Sequence, residues 1–499
     1  MKQFLSRQQW WLQVFCILVV AIALRIPLLN GSFWLDEAAQ AIESTRSWQL
    51  QFQIAEDFQP PLYHLVVHAL QYVSWSEWWL RLASMIPGIG SVFLLIVAVR
   101  KWSTPKAALL AGLLLAISNI HLFFSQELRP YMWAVLWAMA SFYSFSVWVQ
   151  TVDAKEQTKW LRVLTIVNAL GVLSSYVYIF WWMAQWLLML LMGTRHWKSI
   201  TASFLVSSSV FFVWWPWFLE QWQVGQTLRA KLPGWAEVVS VPFFKAVPLT
   251  LGKFLSGVVE LDLSPVFFVT VAGWWLIWGL SVAWVWWQTR RGSRLLHTGL
   301  TSVLFLFGAT LVIAWIFTLI TPVLAPKRVL YILPLVLASL GFVTQYSRKI
   351  GSFVVIWFIL WQGFATWSYW NVRELQREDW RSLTQEIEAN FSAHNTALVF
   401  AFDGPFPPWD WYEQESWRTY STGTKPPVDV AAVQESLAGI ENYENILVFD
   451  YLRDLTDPER KIDVVLAGWG YDEVGAITYT GIGPVRMLVR RQLFATGEN

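Results

Sequence analysis

Long apolar segments recur along this sequence and constrain its fold more than any other feature. A helix needs about 20 mostly apolar residues to cross the hydrocarbon core of a bilayer. Hydrophobic residues make up 56% of the chain and charged residues only 14%, so most of the chain is predicted to lie in lipid. The pattern predicts a polytopic α-helical membrane protein with about eleven spans. They are predicted at residues 11–29, 83–99, 107–122, 131–150, 162–177, 178–193, 200–218, 265–288, 298–321, 329–346 and 352–369.

Basic residues between these segments indicate which loops face the cytoplasm, because cytoplasmic loops carry an excess of Lys and Arg. With the N-terminus inside, every short cytoplasmic loop is basic: the loops contain Arg100, Lys155, Arg195, Arg290 and Arg348. The first apolar stretch is long and lacks a small-residue cleavage site, so it is predicted to stay as a helix. We therefore expect a multi-pass protein of the inner (plasma) membrane with a cytoplasmic N-terminus.

The composition changes after residue 370, where charges return and the apolar runs shorten to strand length. "EDWRSLTQEIEANF" predicts a helix, and "TALVFAFD", "NILVFDYL", "DVVLAGWG" and "VRMLVRRQLF" predict buried strands. The sequence therefore predicts two domains, a membrane domain at 1–370 and a soluble extracytoplasmic α/β domain at 371–499. The soluble domain lacks a recognisable catalytic motif, which favours substrate docking or structural support as its role.

Two adjacent carboxylates, Asp36 and Glu37, open a predicted helix in the first extracytoplasmic loop, "LDEAAQAIESTRSW". A second amphipathic stretch in this loop, "PPLYHLVVHAL", is predicted to be a helix that starts at the paired prolines. Asp36 would serve as a helix N-cap and Glu37 as a favourable first-turn charge. Alternatively, two neighbouring carboxylates supply a general base, because like charges raise one pKa towards neutrality. The position alone leaves both interpretations open.

Basic residues stand at the outer ends of two predicted spans. In "SQELRPYMW", Glu127 and Arg129 either form a local ion pair or provide an anion site in which Glu127 orients Arg129. In "APKRVLYILP", Lys327 and Arg328 either extend to lipid headgroups or hold a phosphate. Both motifs therefore leave a structural and a phosphate-binding interpretation open.

Several other ligand types are limited by the sequence. A net charge of +2 gives no indication of nucleic-acid binding, and the single Cys16 excludes an intrachain disulfide or a cysteine-based metal cluster. Histidines occur near acidic residues, so a divalent metal held by Glu37, Asp57 and His121 is a possible cofactor, although no spacing is specific for a metal site. No nucleotide or redox cofactor is implied.

The order of these motifs resembles a known family. "RIP" at the end of the first helix, "FWLDEA", "QPPLYHLVVHAL", "SEWWLRLAS", "SQELRPYMW" and "PKRVLYILP" are similar to GT-C membrane glycosyltransferases of the family 39 type. That group includes protein O-mannosyltransferases and the lipid A aminoarabinose transferase. "REDWRSL" after the last span also resembles the start of the soluble tail in bacterial relatives.

The resemblance implies a GT-C fold and transfer of a sugar, with inversion, from a polyprenyl-phosphate donor to a lipid, glycan or protein acceptor at the extracytoplasmic face. Asp36 corresponds to the proposed base and Glu37 to a second, supporting or metal-contacting acid. Residues in the matching motifs are expected to contact the donor: Gln59, His64, Glu127, Arg129, Tyr131, Lys327 and Arg328. Gln59 departs from the pattern, because many relatives carry His or Lys before the paired prolines.

Two other functional classes remain as alternatives. A transporter or flippase for lipid-linked sugars predicts ionisable residues deep within spans or broken helices in matching halves. The sequence contains neither an acidic residue deep within a span nor a clear internal repeat. A non-catalytic membrane scaffold would not need the acidic and basic motifs to converge.

Overall fold

The structure is a computed structural model that describes residues 2–54, 57–231, 241–259, 265–401, 406–422 and 430–491. Its contacts divide the chain into two compact units. The membrane unit comprises residues 1–30, 44–221 and 240–375, and the C-terminal unit comprises 31–43, 222–239 and 376–499. The segment with Asp36 and Glu37 therefore groups with the C-terminal unit, which a single boundary at residue 370 does not anticipate.

Helices account for nearly all of the described chain up to residue 371. They are α1 (Lys2–Arg25), α2 (Leu35–Thr45), α3 (Leu62–Gln71), α4 (Glu77–Leu80), α5 (Leu82–Trp102), α6 (Pro105–Ile117), α7 (Asn119–Ser125), α8 (Tyr131–Gln150), α9 (Ala154–Ser174), α10 (Tyr178–Met192), α11 (Trp197–Lys231), α12 (Phe243–Ser256), α13 (Pro265–Thr289), α14 (Arg294–Phe317), α15 (Leu333–Tyr346) and α16 (Arg348–Asn371). Each predicted apolar segment falls on one of these helices or, for 107–122, on the pair α6 and α7.

Among the described residues, seven helices are long and apolar enough to cross a membrane, and the pair α6 and α7, bent by 61°, would make an eighth. The seven lie in α1, α4–α5, α8, α11, α13, α14 and α16. The other three predicted segments are helical but fall short of this criterion. α10 and Leu330–Tyr346 are short apolar helices, and α9 has a polar first half. The polytopic helical fold is thus confirmed, with fewer full-length spans than the predicted eleven.

Small residues allow helices of the membrane unit to approach closely. A Cβ atom at Gly341 of α15 would lie only 2.5 Å from the carbonyl oxygen of Ala107 on α6. At Gly112 of α6 a Cβ atom would lie 2.1 Å from the side chain of Ile96 on α5. In lipid, where apolar burial drives little association, such close backbone packing is a main source of helix–helix affinity.

The two helices predicted in the loop after the first span are present as α2 and α3. The carbonyl oxygen of Trp34 accepts hydrogen bonds from the N–H groups of Glu37 and Ala38, so α2 begins after Trp34. Asp36 therefore lies inside the first turn and is not the N-cap. Pro61 directly precedes α3, as the paired prolines predicted.

The C-terminal unit contains a five-stranded mixed sheet. Its strands are β1 (Thr396–Phe400), β2 (Thr419–Ser421), β3 (Asn445–Phe449), β4 (Tyr471–Tyr479) and β5 (Gly483–Arg490), in the order β2-β1-β3-β5-β4. β1 pairs in parallel with β2 and β3, and β5 pairs antiparallel with β3 and β4. Its helices are α17 (Trp380–Asn390), α18 (Pro407–Tyr412), α19 (Val430–Ser436), α20 (Arg453–Thr456) and α21 (Lys461–Gly468).

Alternating residues of the strands bury both faces of this sheet. Leu398 and Phe400 pack with Trp380 of α17 and Trp409 of α18. The residues between them face the opposite layer, which contains side chains from α19 and α21. Apolar residues on both faces are typical of central parallel strands, and β1 is buried at all five positions.

One predicted strand is wrong, because "DVVLAGWG" lies in helix α21. The buried residues of this helix are Ile462, Val465 and Leu466, whose spacing of three and one is the helical pattern rather than alternation. A short apolar run fits a strand and a buried helix equally well. Strand β4 was missed because most of its residues are at least partly exposed, so it carries little hydrophobic signal.

Candidate functional site

The adjacent acids of α2 occupy different environments in the C-terminal unit. Asp36 is partly exposed, whereas Glu37 is fully buried. The Nε atom of Arg377, whose side chain is 8% exposed, lies 3.6 Å from Oε2 of Glu37. Both acids lie in the first turn of α2, where the helix dipole favours negative charge. Glu37 therefore forms a buried ion pair, and Asp36 is the acid that solvent can reach.

Residues of the C-terminal unit hold the start of α2 through several contacts. The backbone N–H of Phe33 donates a 2.7 Å hydrogen bond to the hydroxyl of Tyr412. The backbone N–H of Arg381 donates to Oγ of Ser32 over 3.1 Å. The ring of Phe33 also lies 5.6 Å from that of Trp411. These contacts join segment 31–43 to residues more than 340 positions later in the chain.

Glu378 is a partly buried carboxylate that also contacts the start of α2. Its Oε2 accepts a 2.6 Å hydrogen bond from Nε1 of Trp380, and its Oε1 accepts a 2.8 Å bond from the Tyr451 hydroxyl. It also accepts a backbone hydrogen bond from Leu35, the first residue of α2. Burial, together with the charge of Asp36, raises the pKa of Glu378 to about 7, although the three donors oppose this shift.

The sequence predicted that two neighbouring acids would raise the pKa of one of them. In the structure, the charge of Asp36 raises the pKa of Glu378. Neither Glu378 nor Arg377 was predicted from the sequence as a site residue. Both belong to "REDWRSL", the motif noted only for its resemblance to the start of a soluble tail. The adjacent opposite charges of this motif, just after the composition changes, were the signal that could have marked them.

The membrane unit contains a separate charged cluster of Asp57, His64 and Arg129. Oδ2 of Asp57 lies 2.8 Å from Nε2 of His64, and Oδ1 lies 3.2 Å from a terminal nitrogen of Arg129. Asp57 and Arg129 are 10% and 11% exposed, and His64 is fully buried. Burial alone would raise the pKa of Asp57, but Arg129 and His64 outweigh it and hold that pKa well below its usual range.

Hydrogen bonds fix the backbone on both sides of this cluster. Nε2 of Gln221 donates to the carbonyl oxygens of Ile54, Asp57 and Gln59, at 2.8, 2.8 and 3.0 Å. Oγ of Ser84 donates to the carbonyl oxygen of Arg129 over 2.9 Å. Gln59 thus contributes a backbone carbonyl to a structural contact, and its side chain is partly exposed.

Arg129 was predicted to pair with, or be oriented by, Glu127. The structure places the carboxylate of Asp57 beside Arg129, while Glu127 is buried and its carbonyl oxygen accepts the Arg129 N–H. Lys327 lies with its Nζ 5.7 Å from the ring of Tyr131. Because Tyr131 is two residues from Arg129, the two predicted basic motifs meet at the start of α8.

Arg328 and His121 have protein partners of their own. A terminal nitrogen of Arg328 donates a 2.7 Å hydrogen bond to the carbonyl oxygen of Pro322, which fixes the loop before its span. Nδ1 of His121 lies 2.8 Å from the guanidinium of Arg25, and Nε2 lies 3.0 Å from Oγ of Ser91. Both ring nitrogens of His121 are therefore engaged, which leaves neither for the predicted metal.

The potential metal ligands predicted from the sequence do not form one cluster in either unit. Glu37 belongs to the C-terminal unit, and Asp57 and His121 to the membrane unit. Within the membrane unit, the structure instead brings Asp57 together with His64. One carboxylate oxygen and one imidazole nitrogen facing each other are a donor pair that suits a divalent transition metal.

Comparisons with known proteins were informative only at the level of structure. No protein-family model and no curated protein matches the sequence. The structure of ArnT from Cupriavidus metallidurans bound to undecaprenyl phosphate aligns over 98% of this chain and 99% of its own, with 12% identity and a TM-score of 0.56. An Archaeoglobus fulgidus oligosaccharyltransferase, solved in complex with Zn and sulfate, aligns over 95% of this chain and 72% of its own, with 13% identity and a TM-score of 0.52.

The oligosaccharyltransferase AglB from Archaeoglobus fulgidus, solved with an inhibitory peptide and a dolichol-phosphate, aligns over 89% of this chain and 70% of its own. Its identity is 11% and its TM-score 0.51. Identities this low concern the fold. The chain therefore has the GT-C fold of these membrane transferases, as its sequence motifs predicted.

Proposed function

We propose that this protein is a glycosyltransferase that moves a sugar from a polyprenyl-phosphate donor to a lipid, glycan or protein acceptor. The observation that carries the proposal is the alignment, along 98% of the chain, with a transferase solved with undecaprenyl phosphate. The acidic helix and the basic cluster supply the two kinds of group that such a reaction needs. The reaction is proposed for the extracytoplasmic face of the inner membrane, in agreement with the distribution of basic loops.

Asp36 is the proposed general base. It is the acid of the adjacent pair that remains partly exposed, so an acceptor hydroxyl or amine can reach it. Asp36 would take the proton from the acceptor as the acceptor attacks the anomeric carbon from the face opposite the phosphate, which inverts the configuration. Glu37, paired with Arg377, would support the position of Asp36 rather than exchange protons.

Arg129 and Arg328 are the proposed phosphate contacts, assisted by Lys327. A guanidinium matches the geometry of phosphate oxygens, and contacts that strengthen as the leaving phosphate gains charge lower the barrier. Polyprenyl phosphate leaves as a stabilised anion, so no general acid is required. Asp57 would hold Arg129 in place before the donor arrives, because its low pKa keeps it charged at neutral pH.

The remaining motif residues are proposed to shape the donor site. Tyr131 contacts Lys327 through its ring, and buried Glu127 supports the loop before Arg129. His64 holds the second oxygen of Asp57. Many relatives carry His or Lys at the position of Gln59. The neutral amide of Gln59 therefore adds no positive charge to the proposed donor site.

A divalent metal is the one cofactor that we propose. Among the described residues of the membrane unit, Asp57 and His64 are the two that would hold it, and donor phosphate oxygens would be natural further ligands. Bound there, the metal would supply positive charge near the leaving phosphate. Asp57 is shared with Arg129, so metal binding would compete with an existing ion pair.

The first experiment measures sugar transfer by the purified protein in lipid nanodiscs with a panel of radiolabelled polyprenyl-phosphate sugars. Replacing Asp36 by Asn is expected to lower turnover by roughly 100- to 10,000-fold, the usual contribution of a general base, while donor binding persists. Asp454→Asn is the matched control, because Asp454 is an exposed acid of the same unit. Replacing Arg129 or Arg328 by Ala should weaken donor binding roughly 10- to 100-fold.

The outcomes separate the functional classes. Equal turnover in Asp36→Asn and wild type would remove Asp36 from the chemical step. Donor binding without transfer to any acceptor would favour a transporter or a scaffold. Loss of turnover in Asp36→Asn but not in Asp454→Asn, with donor binding retained, supports the transferase.

A further inference from the structure

Two consecutive residues after the last span, Arg377 and Glu378, contact the first turn of the acidic helix, at Glu37 and Leu35. Arg377 lies beside Glu37, and Glu378 accepts the backbone N–H of Leu35. The first N–H groups of a helix have no partner within the helix, and a carboxylate is a strong acceptor for them. Glu378 thus caps α2 from a distant part of the sequence.

The position of Glu378 is itself fixed. Trp380 and Tyr451 donate hydrogen bonds to its two oxygens, and Trp380 packs against Tyr451 with ring centroids 5.2 Å apart. Both aromatic side chains belong to the buried layer between α17 and the sheet. A carboxylate held on a packed aromatic layer offers α2 an anchor with little freedom to move.

From these contacts we propose that Glu378 is a positioning residue for Asp36, acting through the start of α2 and through its charge. The expected effect of Glu378 on kcat rests on the proposed function. The capping contact with Leu35 belongs to the fold and can be tested without turnover. Neither the sequence motifs nor the resemblance gave Glu378 a role.

Glu378 has few charged or titratable neighbours. Asp36 faces it from α2 and Tyr451 from the residues after β3, while Arg377 and Asp379 adjoin it in the chain. Its pKa of about 7 means that it gains its charge near neutral pH. When charged, Glu378 accepts the Leu35 N–H more strongly, because a carboxylate is a stronger acceptor than a carboxylic acid.

The kinetic test compares Glu378→Gln with wild type across pH 5.5 to 8.5, a range chosen to span the pKa of about 7. In wild type, kcat is expected to rise through neutral pH, and in Glu378→Gln this rise should be absent. At pH 8 the variant should lose roughly tenfold to a hundredfold in kcat, the effect of a displacement of about 1 Å, with an unchanged donor KM. Glu378→Asp should recover part of the loss.

Glu388→Gln is the matched control. Glu388 lies on α17 of the same unit and also accepts a backbone N–H, that of Gln414, over 2.7 Å. It contacts no residue of segment 31–43 among the hydrogen bonds of the described residues. The control should therefore keep the wild-type pH profile and the wild-type kcat.

Hydrogen exchange gives a second readout that needs no turnover. The Leu35 amide should exchange faster in Glu378→Gln than in wild type, while amides of β1 and β3 stay protected. Exchange of the Leu35 amide at the wild-type rate, or an unchanged pH profile in an active Glu378→Gln enzyme, would overturn the inference. Faster Leu35 exchange in a protein that transfers no sugar would retain the capping role and reject the proposed function alone.

Discussion

The pairing of Asp57 with Arg129 and His64 predicts a large local effect of one isosteric substitution. Asp57→Asn removes the negative charge and keeps the shape of the side chain. The two contacts, at 3.2 and 2.8 Å, involve side chains that are at most 11% exposed. Removing one partner of a buried ion pair costs about 3 to 5 kcal/mol. The small exposure of Asp57 and Arg129 places the expected cost near 3 kcal/mol.

Hydrogen exchange of the full-length protein in nanodiscs measures this cost locally. A destabilisation of about 3 kcal/mol corresponds to a roughly 100-fold increase in local opening. The amides of α3, which carries His64, and of the residues around Arg129 should therefore lose about two orders of magnitude of protection. Peptides of the C-terminal unit should be unaffected.

The control is a solvent-exposed ion pair of the same unit. Glu156 and Lys159 lie 3.1 Å apart with side chains 53% and 62% exposed, so Glu156→Gln should change local protection less than about threefold. The pKa of Asp57 is lowered in the folded protein, so its stabilisation is present above the unfolded pKa and is lost only in acid. An effect of Asp57→Asn no larger than that of Glu156→Gln would refute this account.

Three further predictions concern packing and charge. Gly341→Ala should lower the thermal midpoint in detergent, because overpacking against Ala107 costs about 1 to 3 kcal/mol of stability. Gly308→Ala, with open space around its Cβ position, should raise the thermal midpoint, because Ala is more favourable than Gly in a helix by up to about 1 kcal/mol. The pKa of Glu378 is raised in the folded protein, so the associated stability is fully present below pH 4.5 and is lost as the pH rises through about 7. The loss amounts to roughly 3 kcal/mol in the free energy of unfolding. Unfolding monitored by tryptophan fluorescence should show this decrease with pH in wild type and not in Glu378→Gln. Arg486→Met removes contacts of 2.8 to 3.2 Å to Asp450, Asp463 and Glu473, and proteolysis should show the C-terminal unit destabilised by about 3 to 5 kcal/mol.

Sequence periodicity was sufficient for most of the helices, because a span or an amphipathic face is encoded locally. The segments α2 and α3 were recognised from their patterns, and the motif order predicted the fold. Local signals failed where two structures share one pattern, as in α21, or where a strand is mostly exposed, as in β4. These errors concern the C-terminal unit, whose elements are short.

The candidate site was harder to predict because its pairings are distant in sequence. Asp57 and Arg129 are 72 residues apart, and nothing in either motif identifies the other as its partner. The motifs indicated which acidic and basic residues to consider, and these assignments stay predictions; the contacts between distant motifs were not predicted. The sequence indicated Glu127 as a neighbour of Arg129 and gave no sign of a contact with Asp57, which lies 3.2 Å from Arg129 in the structure.

The adjacent acids of α2 show why one motif can hold two roles. Successive residues of a helix point about 100° apart, so neighbours on the chain cannot both face the same surroundings. Glu37 points into the C-terminal unit towards Arg377, and its charge is balanced there. Asp36 remains partly exposed, and its charge raises the pKa of Glu378. The second acid of the motif is therefore explained by structure, and only the first needs a chemical explanation.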